Sequence, residues 1–262
     1  MFLKNRLKRI GFKVVKPIAL RLGFSEKKIS VKNFYSKENL LENFFKTLLK
    51  LEFKAWHIVD VGANHGTWTR EVLRYFPNSS YTLIEPQAWM KESINDLLES
   101  NPDIRFFGVG AGEKKGSFKF TIVDRDDSCS FSYSETDALQ KGFKQIDVDV
   151  ITLNDFLPEV NSRVPDIIKI DAEGLDIEVL RGANKYFGKT EVFMVEVGIV
   201  NKTFNNSFLK MINLMDEAGY RLFDITDLNR PLNTNVLWLA ELVFIKKNGF
   251  IDSKSFIGQI ND

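Results

Sequence analysis

Cysteine and histidine are scarce in this sequence, with one cysteine, Cys129, and two histidines among 262 residues. A lone cysteine cannot form an internal disulfide, and it provides none of the cysteine spacing of a zinc site. Disulfides are characteristic of oxidising compartments, so a chain that can form none fits a reducing one. We therefore expect a cytoplasmic protein.

Long apolar runs are also missing. No run approaches the roughly 18 to 20 residues that a membrane-spanning helix requires. Lys13, Lys16 and Arg21 interrupt every apolar stretch near the start of the sequence, so the continuous apolar region of a signal peptide is not found there. The sequence thus predicts neither a transmembrane segment nor export.

Net charge is nearly zero, with 36 Lys and Arg against 35 Asp and Glu, but the charges are unevenly distributed. Residues 1–32 contain ten basic residues and one acid, a net charge of +9, which leaves −8 on the remainder. Apolar residues recur there at steps of three and four, and Gly11 and Pro17 divide the pattern into two short helical pieces. This basic amphipathic extension is suited either to an anionic membrane surface, such as the inner face of a membrane, or to packing on the body of the protein.

After the extension, short apolar runs alternate with amphipathic helical patterns, which predicts a doubly wound, mostly parallel sheet of seven strands. An inserted pair of strands is expected at 117–123 and 146–150, with a polar connection near 124–134. The predicted division is an extension over 1–32, a body over 33–248 and a tail over 249–262. The strands of the body are predicted at 57–61, 81–84, 104–107, 166–170, 191–197, 220–225 and 239–245.

Ligands of such a sheet bind at the carboxyl ends of its strands. The first strand runs into Asp60-Val61-Gly62-Ala63-Asn64-His65-Gly66, and the second ends at Glu85. A glycine turn followed by an acid about 20 residues later is typical of a site for the ribose of an adenosine ligand. Asn64 replaces the middle glycine of a dinucleotide fingerprint, and the P-loop ending is missing, so a phosphate-free, cationic ligand such as S-adenosylmethionine fits better.

With these motifs the sequence resembles the FkbM-type methyltransferases, which have the class I, Rossmann-like fold and use S-adenosylmethionine. The most selective motif is Lys169-Ile170-Asp171-Ala172-Glu173-Gly174, and Glu178-Val179-Leu180-Arg181-Gly182-Ala183 follows it closely. The resemblance also includes the first-strand turn, Glu85-Pro86, the run 110–116 and Thr152-Leu153-Asn154-Asp155-Phe156. It covers about residues 57–198.

The strand-end reasoning and the resemblance together give a set of predicted site residues. Asp171 and Glu173 are predicted to face the transferred methyl group, and Lys169 to keep Asp171 ionised; the alternative is that the two acids only cap the next helix. No metal site is assigned, because no ligand spacing singles one out. The residues predicted to bind the cofactor are Asp60, Gly62, Ala63, Asn64, Gly66, Glu85 and Gly110.

The resemblance implies O-methylation, often of a sugar hydroxyl on a glycan, glycolipid or natural product. Two alternatives remain at this point. An RNA methyltransferase could use the basic extension to grip phosphates, although basic and aromatic residues are not interleaved in the body, so nucleic acid is not the expected partner. A binding module could hold the cofactor without transferring its methyl group.

Overall fold

The computed structural model describes residues 39–125, 128–200, 206–231 and 233–255. The basic extension predicted at 1–32 lies outside the described residues. The described residues form ten strands and eight α-helices. Strands and helices alternate over much of this part of the chain, as the sequence predicts for the body.

The strands form two sheets. The bounds are β1 His57–Val61, β2 Ser80–Ile84, β3 Ile104–Phe107, β4 Gly110–Ala111, β5 Gly116–Ile122, β6 Lys144–Ile151, β7 Ile167–Ile170, β8 Val192–Gly198, β9 Tyr220–Asn229 and β10 Leu239–Lys246.

Most helices connect one strand to the next. The bounds are α1 Leu40–Lys50, α2 Thr67–Leu73, α3 Asn95–Ser100, α4 Glu135–Gln140, α5 Leu153–Val160, α6 Asp176–Arg181, α7 Phe208–Glu217 and α8 Phe250–Lys254. A 3₁₀ helix, Ala88–Ile94, leads directly into α3.

The main sheet has seven strands in the order β3-β2-β1-β7-β8-β10-β9. All neighbours are parallel except β10, which is antiparallel to both β8 and β9. The order reverses between β1 and β7, the point at which ligands bind in a doubly wound sheet. This topology confirms the predicted fold class.

Apolar layers cover both faces of the main sheet. One layer contains Phe44, Phe45 and Leu48 of α1, which are fully buried together with alternate residues of β1 and β10. The other contains Met211 and Met215 of α7. Many phenylalanines pack ring against ring in these layers, as the phenylalanine-rich composition leads one to expect.

The insert differs from its prediction in detail. β5 and β6 form the expected antiparallel pair, but β4 joins β6 in parallel and makes a third strand. The short helix α4 lies in their connection and is capped by Ser134, whose side chain accepts a hydrogen bond from the Asp137 amide. In the predicted tail, α8 buries Ile251 completely.

Candidate functional site

The turn after β1 passes unusually close to the turn after β7. Gly62 has φ +76°, and a Cβ built on it would lie 1.9 Å from the carbonyl oxygen of Asp171. Only glycine combines that conformation with that approach. The two sequence motifs therefore meet at one place, where β1 and β7 end side by side.

Lys169 holds this junction from beneath. Its side chain is 5% exposed, and its Nζ lies 3.4 Å from Asp60 Oδ1 and 3.3 Å from Asp171 Oδ2. The ammonium also donates to the carbonyl oxygen of Gly62 at 3.2 Å. Burial alone would lower the pKa of Lys169, but the carboxylates of Asp171, Asp60 and Glu241 raise it above its ordinary value. The lysine stays charged and ties both turns together.

Asp60 is fully buried within this junction. The hydroxyl of Thr69, on α2, donates to Asp60 Oδ2 at 2.6 Å, and Lys169 pairs with the other oxygen. A buried carboxylate needs such partners to offset its loss of hydration. Asp60 therefore fixes the β1 turn and the start of α2 relative to β7.

The turn after β7 presents its acids in a constrained backbone. Glu173 has φ +50° and Gly174 has φ +93°, and a left-handed glutamate is uncommon. The turn is held by Asp176, whose carboxylate accepts the amide N–H of Ala172 at 2.9 Å. Backbone strain of this kind persists where the surroundings determine the conformation, and it often accompanies a functional site.

Asp176 also fastens this turn to β8. It is fully buried, and the side-chain amide of Asn206 donates to it at 2.6 Å and to the carbonyl oxygen of Glu196 at 3.0 Å. Burial raises the pKa of Asp176 to about 7, despite the amide hydrogen bond from Ala172. The carboxylate thus stands at the centre of a network linking α6, β8 and the segment that precedes α7.

Glu85 lies at the end of β2, 3% exposed. Its carboxylate accepts the backbone N–H groups of Asn64 at 2.8 Å and Gln87 at 3.0 Å. Burial raises the pKa of Glu85, and these hydrogen bonds oppose that rise. The side-chain amide of Gln87 also donates to Oε1, at 3.2 Å, so Oε2 is the oxygen that keeps an acceptor position for a ligand.

A pocket opens along this strand edge. Glu85 lines one part of it, and Asp171 and Glu173 line another. Between them lie Gly62 and Asn64, which belong to the β1 turn. The insert also contributes to the wall, through Gly110, Ala111, Phe120, Cys129, Ser130 and Phe131.

Two further acids lie next to this edge, on neighbouring strands. Glu196 of β8 and Glu241 of β10 are directly paired in register, and Thr226 donates to Glu241. Burial raises the pKa of Glu241 to about 7. Burial also raises the pKa of Glu196, and the negative charges of Asp171 and other nearby acids add to that effect.

Residues 60–222 match the Methyltransferase FkbM domain, which covers more than half of the chain. The chain belongs to the FkbM methyltransferase family. This confirms the resemblance predicted from the Lys169–Ala183 motifs, and with it the methyltransferase class and the S-adenosylmethionine cofactor.

Individual relatives of this FkbM methyltransferase are distant. It is 28% identical over 142 residues to Methyltransferase 1 of Beauveria bassiana, a match spanning 48% of this chain and 57% of that protein. Among solved structures, an rRNA methylase from Streptococcus thermophilus superposes with a TM-score of 0.47 at 10% identity, covering 81% of this chain and all but 1% of the other. A Burkholderia thailandensis 1,6-didemethyltoxoflavin-N1-methyltransferase, solved with S-adenosylhomocysteine, superposes with a TM-score of 0.44 at 11% identity. The match covers 88% of this chain and 89% of the other.

The residues of the pocket fit the cofactor of the family. Glu85 Oε2 keeps an acceptor position for a ribose hydroxyl, and it lies beside the β1 turn, whose Gly62 and Asn64 line the pocket. At the other part of the pocket, Asp171 and Glu173 supply negative charge, which suits a sulfonium or an ammonium group. Glu85 and the β1 turn are therefore the residues that would hold the adenosine part, and the acids after β7 lie where the methyl group would be presented.

The predicted site residues divide into two groups in this FkbM domain. Those that line the pocket are Gly62, Asn64, Glu85, Gly110, Asp171 and Glu173. The others are not part of the pocket lining. Ala63 lies in the core, and a Cβ built on Gly66 would lie 2.9 Å from Ile94 Cγ2. Asp60 and Lys169 join the two turns through their ion pair.

Sequence reasoning missed several residues of this neighbourhood. Glu241 could have been noticed as the single acid in the apolar run 239–245, and Asp176 as an acid two residues after the Glu173-Gly174 turn. Phe131 gave no local signal, because it lies in a polar stretch that predicts only a loop. Within the described residues, no group of three or more His, Cys, Asp or Glu side chains could hold a metal ion.

Proposed function

We propose that this chain transfers the methyl group of S-adenosylmethionine to a hydroxyl oxygen of a neutral polyol, such as a sugar unit of a glycan, a glycolipid or a natural product. The observation that carries the proposal is the group of acidic side chains at one strand edge. Asp171 and Glu173 line the pocket, and Glu196 and Glu241, whose pKa values are raised by burial, lie on the neighbouring strands. Lys169 is buried beside them and already pairs with Asp60 and Asp171.

Such a surface favours some acceptors over others. Carboxylates accept hydrogen bonds from hydroxyl groups and so can orient a polyol. They repel phosphates at short range in a partly buried site. The described part of the chain therefore gives less support to the RNA alternative than to a sugar acceptor, and the intact set of acids supports catalysis over simple cofactor storage.

In the proposed mechanism, bound S-adenosylmethionine supplies a methyl group already activated on sulfur. Asp171 accepts the proton that the acceptor hydroxyl releases as its oxygen is methylated. Its side chain is 37% exposed, so it can reach the acceptor, while Lys169 holds it at 3.3 Å from below. Because the donor is activated, alignment of the acceptor by these carboxylates supplies much of the rate.

Cofactor binding tests the first half of the proposal. Titration calorimetry with S-adenosylhomocysteine should give a clear affinity for the wild type, and Glu85→Gln should weaken it by roughly tenfold or more, because a charge-assisted hydrogen bond is worth about 1.5 to 3 kcal/mol. Glu92→Gln is the matched control, since Glu92 is exposed on the neighbouring 3₁₀ helix. Equal affinities for all three proteins would contradict the assignment of Glu85.

Methyl transfer tests the second half. Release of S-adenosylhomocysteine should be measured with neutral methyl glycosides and with the corresponding sugar phosphates, and we expect turnover with the neutral series. Asp171→Asn should abolish turnover and retain cofactor affinity, whereas Asp149→Asn, at an exposed site on β6, should resemble the wild type. Turnover confined to phosphorylated or RNA acceptors would overturn the proposal.

The extension suggests where such an acceptor would be met. We propose that residues 1–32, with their net charge of +9, bring the enzyme to an anionic membrane surface on the cytoplasmic side, where lipid-linked glycans are found. Among the described residues no helix is both long and apolar enough to cross a membrane.

A further inference from the structure

The insert places an aromatic ring against Gly110, one of the predicted cofactor residues. A Cβ built on Gly110 would lie 2.6 Å from Cζ and 2.9 Å from Cε2 of Phe131. Both residues line the pocket. The glycine therefore leaves the space that the ring occupies, and any larger residue at position 110 would displace that ring.

The ring is held in place from its other side. Its centroid lies 4.8 Å from that of Phe120, at an interplanar angle of 60°. Phe120 is 1% exposed and packs in a small core with Cys129 and Val148. An edge-to-face contact with a buried neighbour restricts the motion of the second ring.

The backbone on either side is fixed as well. Ser130 exchanges two backbone hydrogen bonds with Thr121 of β5, at 2.9 and 3.1 Å. The Ser130 hydroxyl also accepts the amide N–H of Ser132 at 2.9 Å. Phe131 thus has hydrogen-bonded neighbours on both sides, although it lies between regular elements.

The place of this ring along the pocket indicates what it contacts. The acids after β7 lie at the methyl-bearing part, and Glu85 is positioned for the ribose. In an adenosine ligand the base extends from the ribose on the side away from the sulfonium. Gly110 follows β3, which pairs with β2 on the side away from β7, and Phe131 lines the pocket against Gly110. An aromatic ring there can stack on or contact the edge of a purine.

We propose that Phe131 of the insert is an adenine-binding residue, and that Gly110 is required because it admits the Phe131 ring. This assignment rests on the cofactor of the proposed function. It also gives the insert a role in cofactor binding, in addition to its own small core.

Four variants test the pair by calorimetric titration with S-adenosylhomocysteine, with circular dichroism and thermal melting to check folding. Phe131→Ala should weaken binding about tenfold, and Phe131→Leu, which keeps most of the volume, should still weaken it several-fold. Phe131→Tyr adds a hydroxyl on Cζ, the ring atom nearest to Gly110, and should also weaken binding. Gly110→Ala should weaken binding to a similar extent as Phe131→Ala. Phe118→Ala is the matched control, because Phe118 is 45% exposed in the same sheet, and its affinity should be unchanged.

The double variant Gly110→Ala/Phe131→Ala gives the sharpest result. If the glycine chiefly makes room for the ring, the alanine methyl meets only Val150 Cγ2, at 3.1 Å, once the ring is gone, so the double variant should bind about as well as Phe131→Ala alone. 5′-Deoxy-5′-methylthioadenosine, which lacks the amino-acid part, should lose the same factor as S-adenosylhomocysteine.

Other outcomes would overturn the inference. Wild-type affinity in folded Phe131→Ala and Phe131→Leu would remove Phe131 from the cofactor site, and independent, additive losses in the double variant would separate Gly110 from the ring. Failure of the wild type to bind S-adenosylhomocysteine at all would instead overturn the proposed function together with this inference.

Discussion

Replacing Asp176 with asparagine should change how the stability of the fold depends on pH. The carboxylate is fully buried, and its pKa in the folded protein is about 7, against an ordinary value of 3.8. The folded state therefore binds this proton more tightly than the unfolded chain does. The resulting contribution to the free energy of unfolding is present below pH 4 and is lost progressively as the pH rises towards 7.

The size of the effect follows from these two values. One pKa unit corresponds to 1.36 kcal/mol, so the full difference is worth on the order of 4 kcal/mol, and about 2 to 3 kcal/mol of it falls between pH 5 and pH 8. For a protein of this size, that loss of unfolding free energy corresponds to a decrease of roughly 5 to 10 °C in Tm. Asp176→Asn cannot ionise, so its stability should lack this decline, and its amide oxygen can still accept the Ala172 N–H.

Thermal melts and urea unfolding of the two proteins from pH 5 to pH 8 measure the difference directly. The asparagine amide would meet the amide of Asn206, so we also expect a pH-independent loss of about 1 to 3 kcal/mol. Other titrating groups are common to both proteins and largely cancel, apart from a smaller change through Glu196. Asp103→Asn, at an exposed position, is the control. Parallel pH profiles for wild type and Asp176→Asn would refute the reasoning.

Three further predictions concern other parts of the chain. Lys169→Met should lower the free energy of unfolding by about 3 to 5 kcal/mol in urea titrations, because it leaves a buried carboxylate without its counter-charge; a change below 1 kcal/mol would contradict this. Gly182→Ala should prevent folding or lower Tm severely, since its Cβ would lie 2.0 Å from the Gly112 carbonyl oxygen. At Gly142 a Cβ meets open space, so Gly142→Ala should lower the free energy of unfolding by only about 1 to 2 kcal/mol, because of its left-handed backbone. Full-length protein should co-sediment with anionic liposomes more strongly than a 33–262 variant, and equal sedimentation would remove the membrane role of the extension.

The main sheet could be predicted because its signals are local. Apolar runs such as 192–195 of β8 are buried on both faces, and the strand-helix alternation favours a parallel arrangement. Elements with weaker periodicity were missed. Helix α5 contains Pro158 in its interior, and the two-residue strand β4 is too short for any alternation to be visible.

The candidate site was predictable only where the residues come from one motif. The turns at Gly62 and at Asp171–Gly174 could each be recognised from the sequence. Their close contact, in which a Cβ built on Gly62 would lie 1.9 Å from the Asp171 carbonyl oxygen, depends on the pairing of β1 with β7, which are more than 100 residues apart. The same is true of Lys169, which was expected to serve Asp171 and is shared with Asp60. Phe131 reaches the pocket through the tertiary packing of the insert, which no periodicity encodes.

The reversed direction of β10 has a consequence for how such an enzyme can diversify. Because Leu239 pairs with both Gly198 and Asn229, the connection between β9 and β10 lies at the same edge as the carboxyl ends of the parallel strands. The residues predicted to bind the cofactor lie on the other half of the sheet, at the ends of β1 and β2 and in the insert. A change in the length or sequence of the 230–238 connection would therefore leave the predicted cofactor residues in place.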